Sequence, residues 1–379
     1  MNLPQEDQNE KRQIPLVNLS RQHEPIQPQL EAVFREILAT SSFIGGHWLE
    51  RFEEEFARYC NSRHAVGVSS GSAALELSLR ACGIGPGDEV LVPVFTFIAT
   101  AASVTAVGAR PVFVDVDPEF YTLDPLNADQ KITPRSKAII PVHLYGQMAD
   151  MERIAELASR RNLILIEDAA QAHGARLHGK SAGSWGLAAA YSFYPSKNLG
   201  ACGDAGAVAT DDDSVAKRIR LLRNHGSLHD KYRHEIPAFN HRMDTLQAAI
   251  LTVKLKYLGQ WNEWRREAAG QYRRALPALD LILPQEQPGS THVYHLFVIR
   301  TRQRDALQKF LRGRGIDTGL HYPIPLHLQP AYRHLGYQEG DFPAAEQLAR
   351  EVLSLPLFPG ITPAEVHEVA ECVRAFFCG

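Results

Sequence analysis

Two residues that could do chemistry together, a lysine and an aspartate, each follow directly after an apolar, strand-like run. Lys197 lies in the stretch 191–200, and Asp168 lies in the stretch 166–174. In an open α/β sheet, ligands bind at the edge formed by the carboxyl ends of the strands, so both side chains are expected at that edge. A lysine amine can form a Schiff base with an aldehyde cofactor, and a carboxylate can keep a pyridine nitrogen protonated. This pair of roles is the chemistry of pyridoxal phosphate.

Each of the two residues, taken alone, is also compatible with a plainer interpretation. Lys197 would then be a solvated loop lysine, and Asp168 would form a turn or cap the N-terminus of a helix. The stretches around them favour the cofactor, because they add the other contacts that a flat, phosphorylated ring needs.

A candidate phosphate site lies in residues 68–75, which pass from a strand through small residues into a helix. Backbone N–H groups at a helix N-terminus attract an anion, and small residues let a phosphate come close. Gly71, Ser72 and Ala73 are the candidate contacts. The alternative is an ordinary helix cap. The loop matches neither the Walker pattern nor GxGxxG.

Three more residues complete the predicted cofactor site. Phe97, at the end of another strand, is placed to stack on a flat ring, although a core phenylalanine is the alternative. Gln171 could hydrogen-bond a phenolic oxygen, and Ser192 could offer its hydroxyl to the phosphate.

Lys197 must be neutral to attack, which requires a pKa lowered by burial or nearby positive charge. Once released, its amine can carry a proton between carbon atoms.

Composition excludes several other classes of function. The chain has 379 residues, of which 45% are apolar and 22% are charged, and its net charge is −3. These values are typical of a soluble globular protein and give no sign of a nucleic-acid or membrane surface. Its cysteines lack zinc-ligand spacing, so no metal is expected. Without a signal-peptide core near the N-terminus, the protein is predicted to be cytoplasmic.

Apolar strand-like runs alternate with helical patterns, which predicts a mainly parallel, seven-stranded sheet covered on both faces. The predicted strands are 65–68, 89–92, 110–114, 138–142, 163–167, 189–193 and 205–210. The predicted helices of this part are 28–39, 48–59, 73–81, 98–106, 151–160 and 214–223.

The pattern also predicts how the chain divides into domains. Residues 1–13 are polar and predicted to be disordered, and residues 14–243 form the large domain. Residues 244–276 carry apolar side chains at steps of three and four, which predicts one long linking helix. Residues 277–379 form a smaller C-terminal α/β domain, with a strand at 292–300 and helices at 304–312, 344–353 and 363–377.

Several stretches together resemble the nucleotide-sugar aminotransferase family often called DegT/DnrJ/EryC1/StrS, within the fold type I pyridoxal phosphate enzymes. They are residues 69–75, 93–100, 167–174, 192–199, 203–211 and 240–249. The resemblance implies that Lys197 binds the cofactor covalently, that Asp168 pairs with its ring nitrogen, and that Gln171 lies beside its O3′. It likewise matches Phe97 to the stacking aromatic residue, and Ser72, Ala73 and Ser192 to the phosphate contacts.

The same resemblance implies a shared site and a substrate. Asn240 matches an asparagine that reaches the cofactor phosphate of the neighbouring subunit, which implies a homodimer with two shared active sites. The Pro-rich loop 319–330 resembles the substrate-side loop of members that act on 3-keto sugars carrying thymidine diphosphate. His321, Tyr322 and His327 are therefore candidate substrate contacts, with packing against proline as the alternative. Related sugar 3-dehydratases have histidine in place of Lys197, which points away from dehydration.

The predicted function is transfer of an amino group from L-glutamate to a keto group, with C3 favoured, of a dTDP-linked keto-deoxysugar. The cofactor would alternate between pyridoxal and pyridoxamine 5′-phosphate. A C4-keto sugar nucleotide or a keto-cyclitol is the alternative substrate. A cofactor-binding regulatory or scaffold protein is the alternative from another class, and the lack of a basic recognition helix argues against it.

Overall fold

The computed structural model describes residues 13–228, 230, 232–277 and 279–378. The segment 1–13 was predicted to be disordered. Its residues 1–12 lie outside the described residues. None of the helices in these ranges is both long and apolar enough to cross a membrane.

Helices and strands alternate along most of the described chain. The helices are α1 (Leu19–His23), α2 (Gln27–Thr40), α3 (His47–Cys60), α4 (Gly71–Ala81), α5 (Ala99–Ala106), α6 (Pro125–Lys131), α7 (Met151–Arg161), α8 (Asp213–Arg223), α9 (Thr245–Leu255), α10 (Leu258–Ala275), α11 (Arg304–Arg312), α12 (Pro343–Glu351) and α13 (Pro363–Cys378). The strands are β1 (His64–Val68), β2 (Glu89–Pro93), β3 (Arg110–Val114), β4 (Ser136–Ile139), β5 (Ile164–Asp168), β6 (Arg176–Leu177), β7 (Lys180–Ser181), β8 (Ala188–Ser192), β9 (Gly206–Thr210), β10 (Ser290–Thr291), β11 (Phe297–Arg300) and β12 (Val352–Leu355).

The central sheet has seven strands in the order β1-β9-β8-β5-β4-β2-β3. Its neighbouring strands are parallel except at β9, which runs antiparallel to β1 and β8. Successive strand residues such as Ala189 and Ala190 belong to different apolar clusters, so both faces of the sheet are buried. Strands buried on both faces explain the near-continuous apolar runs in the sequence. The predicted fold class and its seven strands are confirmed.

The direction of the strands determines where chemistry can occur. β5 ends at Asp168 and β8 ends at Ser192, and the two strands are parallel neighbours with Asp168 opposite Ala190. β1 ends at the same edge and leads into α4, whereas the reversed β9 begins there at Gly206. A Cβ on Gly206 would lie 2.4 Å from the backbone of Ser70. Only glycine therefore allows β9 to begin this close to the start of α4.

The prediction of one long helix over residues 244–276 is wrong, because the structure has two helices, α9 and α10. The chain turns between them at Tyr257, whose N–H donates to the carbonyl of Lys254. Lys254 itself points inward, and its Nζ donates to the carbonyl of Gly200 at 2.7 Å. α9 is buried along its whole length, whereas α10 is amphipathic. Steps of three and four occur in both helices, so the periodicity alone hides the break.

The C-terminal part forms a small second layer around β11 and β12, which pair in antiparallel fashion. α10, α11 and α13 contribute apolar side chains to the cluster that covers this pair. The helix predicted over 344–353 ends earlier, at Glu351, because the buried run that follows it is β12. The division into a large and a small domain stays a prediction.

Candidate active site

A cavity of about 500 Å³ opens at the carboxyl edge of the central sheet. Lys197 and Asp168 both line it, as do residues from the start of α4 and from the loop 319–330. A volume of this size suits a small-molecule ligand. The structure thus brings the predicted lysine and aspartate into one space.

Lys197 reaches this cavity from the loop that follows β8, where its backbone N–H donates to the carbonyl of Tyr194 at 2.8 Å. Burial lowers the pKa of its amine to about 8, although the charge of Asp168 acts in the opposite direction. A lysine with this pKa has a much larger neutral fraction near neutral pH than an ordinary lysine, as a nucleophilic amine requires. The lowering that the sequence analysis required is present, and its cause is burial.

This pKa predicts how Lys197 reacts in the cofactor-free protein. Its acylation rate should rise with pH and level off above about 8, whereas an ordinary lysine keeps rising toward its pKa of 10.5. Mass spectrometry of peptides after a short pulse of acylating reagent measures this rate at each pH. Exposed Lys180 in the same sample serves as the internal control. Equal pH profiles for the two lysines would contradict the assignment of a lowered pKa.

Asp168 is a buried carboxylate whose hydrogen bonds hold it at the wall of the cavity. Thr100 Oγ1 donates to Oδ2 at 2.8 Å, and the Ala170 N–H donates to Oδ1 at 3.2 Å. Burial raises the pKa of Asp168, and these bonds and the charge of Lys197 offset part of the effect. Within the described ranges Asp168 forms no direct ion pair. A protonated ring nitrogen in this cavity would supply the missing partner.

The neighbouring carboxylate, Glu167, fixes the end of β5 from the other face of the sheet. It accepts hydrogen bonds from the N–H groups of Gly183, Trp185 and Gly186, each at 2.8 Å, and pairs with His143 Nε2 at 2.9 Å. Burial raises the pKa of Glu167, but these hydrogen bonds lower it by a larger amount, so the net shift is downward. Glu167 is thus a fully satisfied structural anion, while Asp168 beside it faces the cavity.

The start of α4 and the end of β8 form a cradle in which a phosphate fits. Gly71, Ser72 and Ser192 line the cavity there. A Cβ on Gly71 would lie 2.6 Å from the Cβ of Ser192, so glycine is needed for the serine to approach the helix N-terminus. Ala73 does not line the cavity, and its N–H donates to the capping Ser70 Oγ at 3.1 Å. The site therefore combines a helix N-terminus with hydroxyl groups, which suits an anion.

Gly71→Ala should disturb this cradle. We expect the free energy of unfolding to fall by about 1–3 kcal/mol, because the added methyl group overpacks the contact with Ser192. The affinity for pyridoxal phosphate should fall as well. Gly259→Ala is the matched control, since a Cβ there meets nothing within 4 Å, and it should stabilise α10 by up to about 1 kcal/mol. Urea unfolding and cofactor titration measure both effects, and equal behaviour of the two variants would refute the close contact.

The predicted ring contacts also meet in the cavity. The exposed Phe97 ring lies 5.9 Å from the Tyr322 ring, centroid to centroid. Gln171 is oriented by two bonds: its Oε1 accepts from the Tyr145 N–H at 2.7 Å, and its Nε2 donates to the Tyr322 hydroxyl at 3.2 Å. The amide nitrogen of Gln171 is therefore the end that faces the cavity, as donation to a phenolic oxygen requires.

The candidate substrate residues of the loop 319–330 divide into two groups. His321 and Tyr322 line the cavity, and His321 Nδ1 pairs with Ser354 Oγ at 2.8 Å. His327 does not line it: the side chain is buried and its Nε2 pairs with Glu346 Oε1 at 3.0 Å. The prediction of substrate contact is therefore wrong for His327, because the hydrogen bond with Glu346 from α12 holds it in the interior. Packing, the alternative interpretation, accounts for this histidine.

Asn240 lies outside the main cavity of its own chain. Its exposed side chain lines a neighbouring cavity of about 420 Å³, which also contains Ser69, Asp204 and Arg242. Asp204 lines both cavities. The placement at a surface next to the site is compatible with a role in a second subunit, which stays a prediction.

Two residues that the sequence analysis did not select also belong to this site. Thr100 donates to Asp168, and its hydroxyl at the end of the stretch 94–100 was the available signal. His295 lines the cavity, as Lys197 does. It lies inside an apolar run that predicts a strand, so periodicity gave no signal for it.

A lysine of lowered pKa, a buried aspartate and an anion cradle, set at the carboxyl edge of a mainly parallel seven-stranded sheet, define a fold type I pyridoxal phosphate enzyme. The chain also matches the DegT/DnrJ/EryC1/StrS aminotransferase family over residues 25–374, and it belongs to that family. The predicted family and the predicted class of enzyme, a pyridoxal phosphate-dependent sugar aminotransferase, are confirmed.

Three relatives cover nearly the whole chain. A dTDP-3-amino-3,4,6-trideoxy-alpha-D-glucose transaminase of Streptomyces venezuelae is 48% identical over 95% of this chain and 95% of its own. A pleiotropic regulatory protein of Geobacillus stearothermophilus is 47% identical over 96% and 98%. A UDP-N-acetyl-3-dehydro-alpha-D-glucosamine 3-aminotransferase of Acidithiobacillus ferrooxidans is 46% identical over 95% and 97%.

Solved structures agree with the fold and the cofactor. Streptomyces venezuelae DesV, in complex with a ketimine intermediate, superimposes with a TM-score of 0.94 at 47% identity, covering 96% of this chain and 98% of DesV. Bacillus subtilis ntda with its bound cofactor PMP (pyridoxamine phosphate) gives a TM-score of 0.89 at 34% identity, covering 99% and 87%. The predicted cofactor is confirmed by these family members.

Proposed function

We propose that this protein is a homodimeric aminotransferase that moves an amino group from L-glutamate to the C3 keto group of a dTDP-linked keto-deoxysugar in the cytoplasm. The observation that carries the proposal is the meeting of Lys197 and Asp168 in one cavity with the Gly71–Ser192 cradle. When bound, pyridoxal phosphate supplies an aldehyde that takes up amino groups and a ring that accepts electrons. Lys197 holds the cofactor, releases it to the donor, and then carries the proton between carbon atoms.

Each remaining residue of the site has one role in this proposal. Asp168 holds a negative charge against the ring nitrogen, and Thr100 keeps its carboxylate in place. Gln171 presents its amide N–H groups to the phenolic oxygen, and Phe97 offers a ring face for stacking. His321 and Tyr322 contact the sugar nucleotide.

The position of amination has better support than the nucleotide. The Streptomyces and Acidithiobacillus relatives carry different nucleotides in their names, dTDP and UDP, at nearly equal identity to this chain. Both names place the nitrogen at position 3. We therefore favour C3 over C4, and dTDP over UDP only through the resemblance of the loop 319–330.

A substrate panel tests this assignment. The purified holoenzyme is first converted with 15N-labelled L-glutamate, and the loss of its visible absorbance band reports that half-reaction. Keto sugars with dTDP or UDP and with the keto group at C3 or C4, together with a keto-cyclitol, are then added separately. The expected result is recovery of the band with the dTDP-linked 3-keto sugar and a 15N-labelled amine at C3 by NMR. Recovery with the keto-cyclitol alone would overturn the proposal.

The charge balance of the cavity supports the homodimer. Lys197 is the only lysine or arginine among the described residues that line the cavity. The phosphate of the cofactor, the diphosphate of the substrate and the carboxylates of glutamate all need cationic or N–H partners. An apolar surface of α2 and the turn after it lies beside the cavity of Asn240, with Phe34, Leu38, Phe43 and Ile44 between 46% and 54% exposed. A second copy on this surface would place Asn240 beside the partner's site.

Subunit complementation tests the shared site. Asn240→Asp should strongly impair activity, because a carboxylate would repel the phosphate. Mixing Asn240→Asp subunits with inactive Lys197→Ala subunits should restore about one quarter of wild-type activity, because half the dimers are mixed and each holds one complete site. Unfolding and refolding the mixture together allows the subunits to exchange, and each variant refolded alone is the control. Without any regain, Asn240 does not act across the interface.

A regulatory role without turnover is the second candidate, favoured by the name of the Geobacillus relative. The pyridoxal phosphate site itself does not exclude it, because a sensor can bind the same cofactor. The substrate panel separates the two functions. A regulatory protein would bind the cofactor but leave its absorbance unchanged by every donor and keto sugar.

A further inference from the structure

His295 is held at the wall of the active-site cavity from two directions. Its side chain lines the cavity, and Nδ1 pairs with Asn198 Oδ1 at 3.2 Å. Its backbone carbonyl accepts from Arg265 Nη1 at 3.2 Å. Arg265 is a buried cation that also binds the carbonyls of Tyr294 and Leu357. Both ends of His295 are therefore fixed, so the imidazole has a defined direction.

A relay of amides determines which nitrogen of His295 carries the proton. Asn262 Nδ2 donates to the carbonyl of His173 at 2.8 Å, so Asn262 Oδ1 is an acceptor. Asn198 Nδ2 donates to that oxygen at 2.8 Å and to the carbonyl of Val293 at 2.9 Å. Asn198 Oδ1 is then an acceptor as well, so His295 Nδ1 must carry a hydrogen. Nε2 is left with a free lone pair.

The imidazole of His295 also stays uncharged. Burial lowers its pKa well below 6.5, and the charge of Lys197 is the next cause, ahead of Arg265. Lys197 and His295 line the same cavity, so the lysine amine and the imidazole share one space. The pKa of His321, in the loop 319–330, is likewise lowered, to about 4, by burial and by Lys197. His295 therefore offers an acceptor, and not a cation, in the space that it shares with the lysine.

We propose that His295 is a positioning residue whose Nε2 accepts a hydrogen bond from the Lys197 amine when this amine, released from the cofactor, turns toward it during turnover. In the structure the Lys197 amine forms no hydrogen bond with the described residues, His295 included, so the side chain is free to make this turn. A freed lysine must aim its lone pair at the carbon whose proton it takes, and it must return that proton from the resulting ammonium group. An acceptor of fixed direction limits the rotation of this flexible side chain. The inference deepens the proposed function and rests on the proton-carrying role of Lys197.

The tautomer is tested without any activity measurement. Wild-type protein labelled with 15N-histidine is compared with His295→Phe labelled in the same way. The signals that are missing from the variant are those of His295. The expected result is a protonated Nδ1 and a bare Nε2 that persist from pH 6 to pH 8, with and without cofactor. Asn198→Ala should introduce the second tautomer. A wild-type signal from protonated Nε2 would overturn the proposal, because that nitrogen would then be a donor.

The half-reactions test the role toward Lys197. In His295→Phe, single-turnover rates with L-glutamate and with the keto sugar should both fall by about 10- to 100-fold, with unchanged KM, because both use the lysine. His292→Phe is the matched control: it removes another buried, neutral imidazole outside the main cavity, and it reports the cost of altering this segment. Slowing of the sugar step alone would assign His295 to the substrate instead. Equal losses in both variants would reduce His295 to a structural role.

The same design separates this inference from the proposed function. If no keto sugar is accepted, the glutamate half-reaction and the NMR signals still report on His295. If the glutamate step proceeds at the wild-type rate in His295→Phe, the positioning role is refuted while the aminotransferase assignment stands.

Discussion

Lys197→Ala should fold and bind cofactor but lose transamination by at least about 10³-fold, because general acid–base catalysis alone contributes 10²- to 10⁴-fold. The variant loses both the amine that holds the cofactor and the base that carries the proton. It should not lose stability. Burial lowers the pKa of Lys197 from 10.5 to about 8. The unfolded chain thus binds more protons between these values, and the charged amine destabilises the fold below pH 8.

Lys197→Arg is the matched control for this prediction. Arginine keeps the positive charge but cannot deprotonate, so it should be as inactive as alanine if the neutral amine is what matters. Steady-state assays with L-glutamate and thermal melts at pH 7 measure both quantities. Activity in the arginine variant alone would show that Lys197 acts by charge. Activity in both variants would remove Lys197 from the mechanism.

The sequence predicts those parts of the site whose residues follow directly after a strand. Lys197, Asp168, Ser192 and Gly71 all lie within a few residues of a strand end, and in a mainly parallel sheet those ends share one edge. The apolar runs locate the strands because both faces of the sheet are buried. Fold and central site therefore both follow from local patterns.

What the sequence did not reveal depends on contacts between distant segments. His327 was assigned to the substrate because its loop has no periodicity to show which side chains turn inward, and its partner Glu346 lies on another element. The relay from Asn262 through Asn198 to His295 joins three separate segments. The turn at Tyr257 separates two helices whose apolar spacing is alike. In the first two cases a tertiary hydrogen bond, invisible to a local pattern, decided the outcome, and in the third the similar spacing of the two helices hid a local turn.

Asp168→Asn should lower turnover by at least about tenfold, and by up to 10²- to 10³-fold if the loss is like that of a preorganised electrostatic contact. The amide can keep the present geometry, since its oxygen can accept from the Ala170 N–H and its nitrogen can donate to Thr100 Oγ1. What disappears is the negative charge that keeps a ring nitrogen protonated. The loss should therefore appear in turnover with little change in the fold.

Stability with and without cofactor distinguishes this role from a structural one. Burial raises the pKa of Asp168, so its charged form destabilises the cofactor-free fold at pH values above that raised pKa. Cofactor-free Asp168→Asn should then melt at or above the wild-type temperature. Added pyridoxal phosphate should raise the melting temperature less in the variant than in the wild type, because a ligand that binds the native state more weakly stabilises it less. Asp204→Asn removes another carboxylate from the same cavity and should show neither effect. If Asp204→Asn and Asp168→Asn behave alike, the charge of Asp168 is not the ring-nitrogen partner, and the electron-accepting half of the site must be sought elsewhere in the cavity.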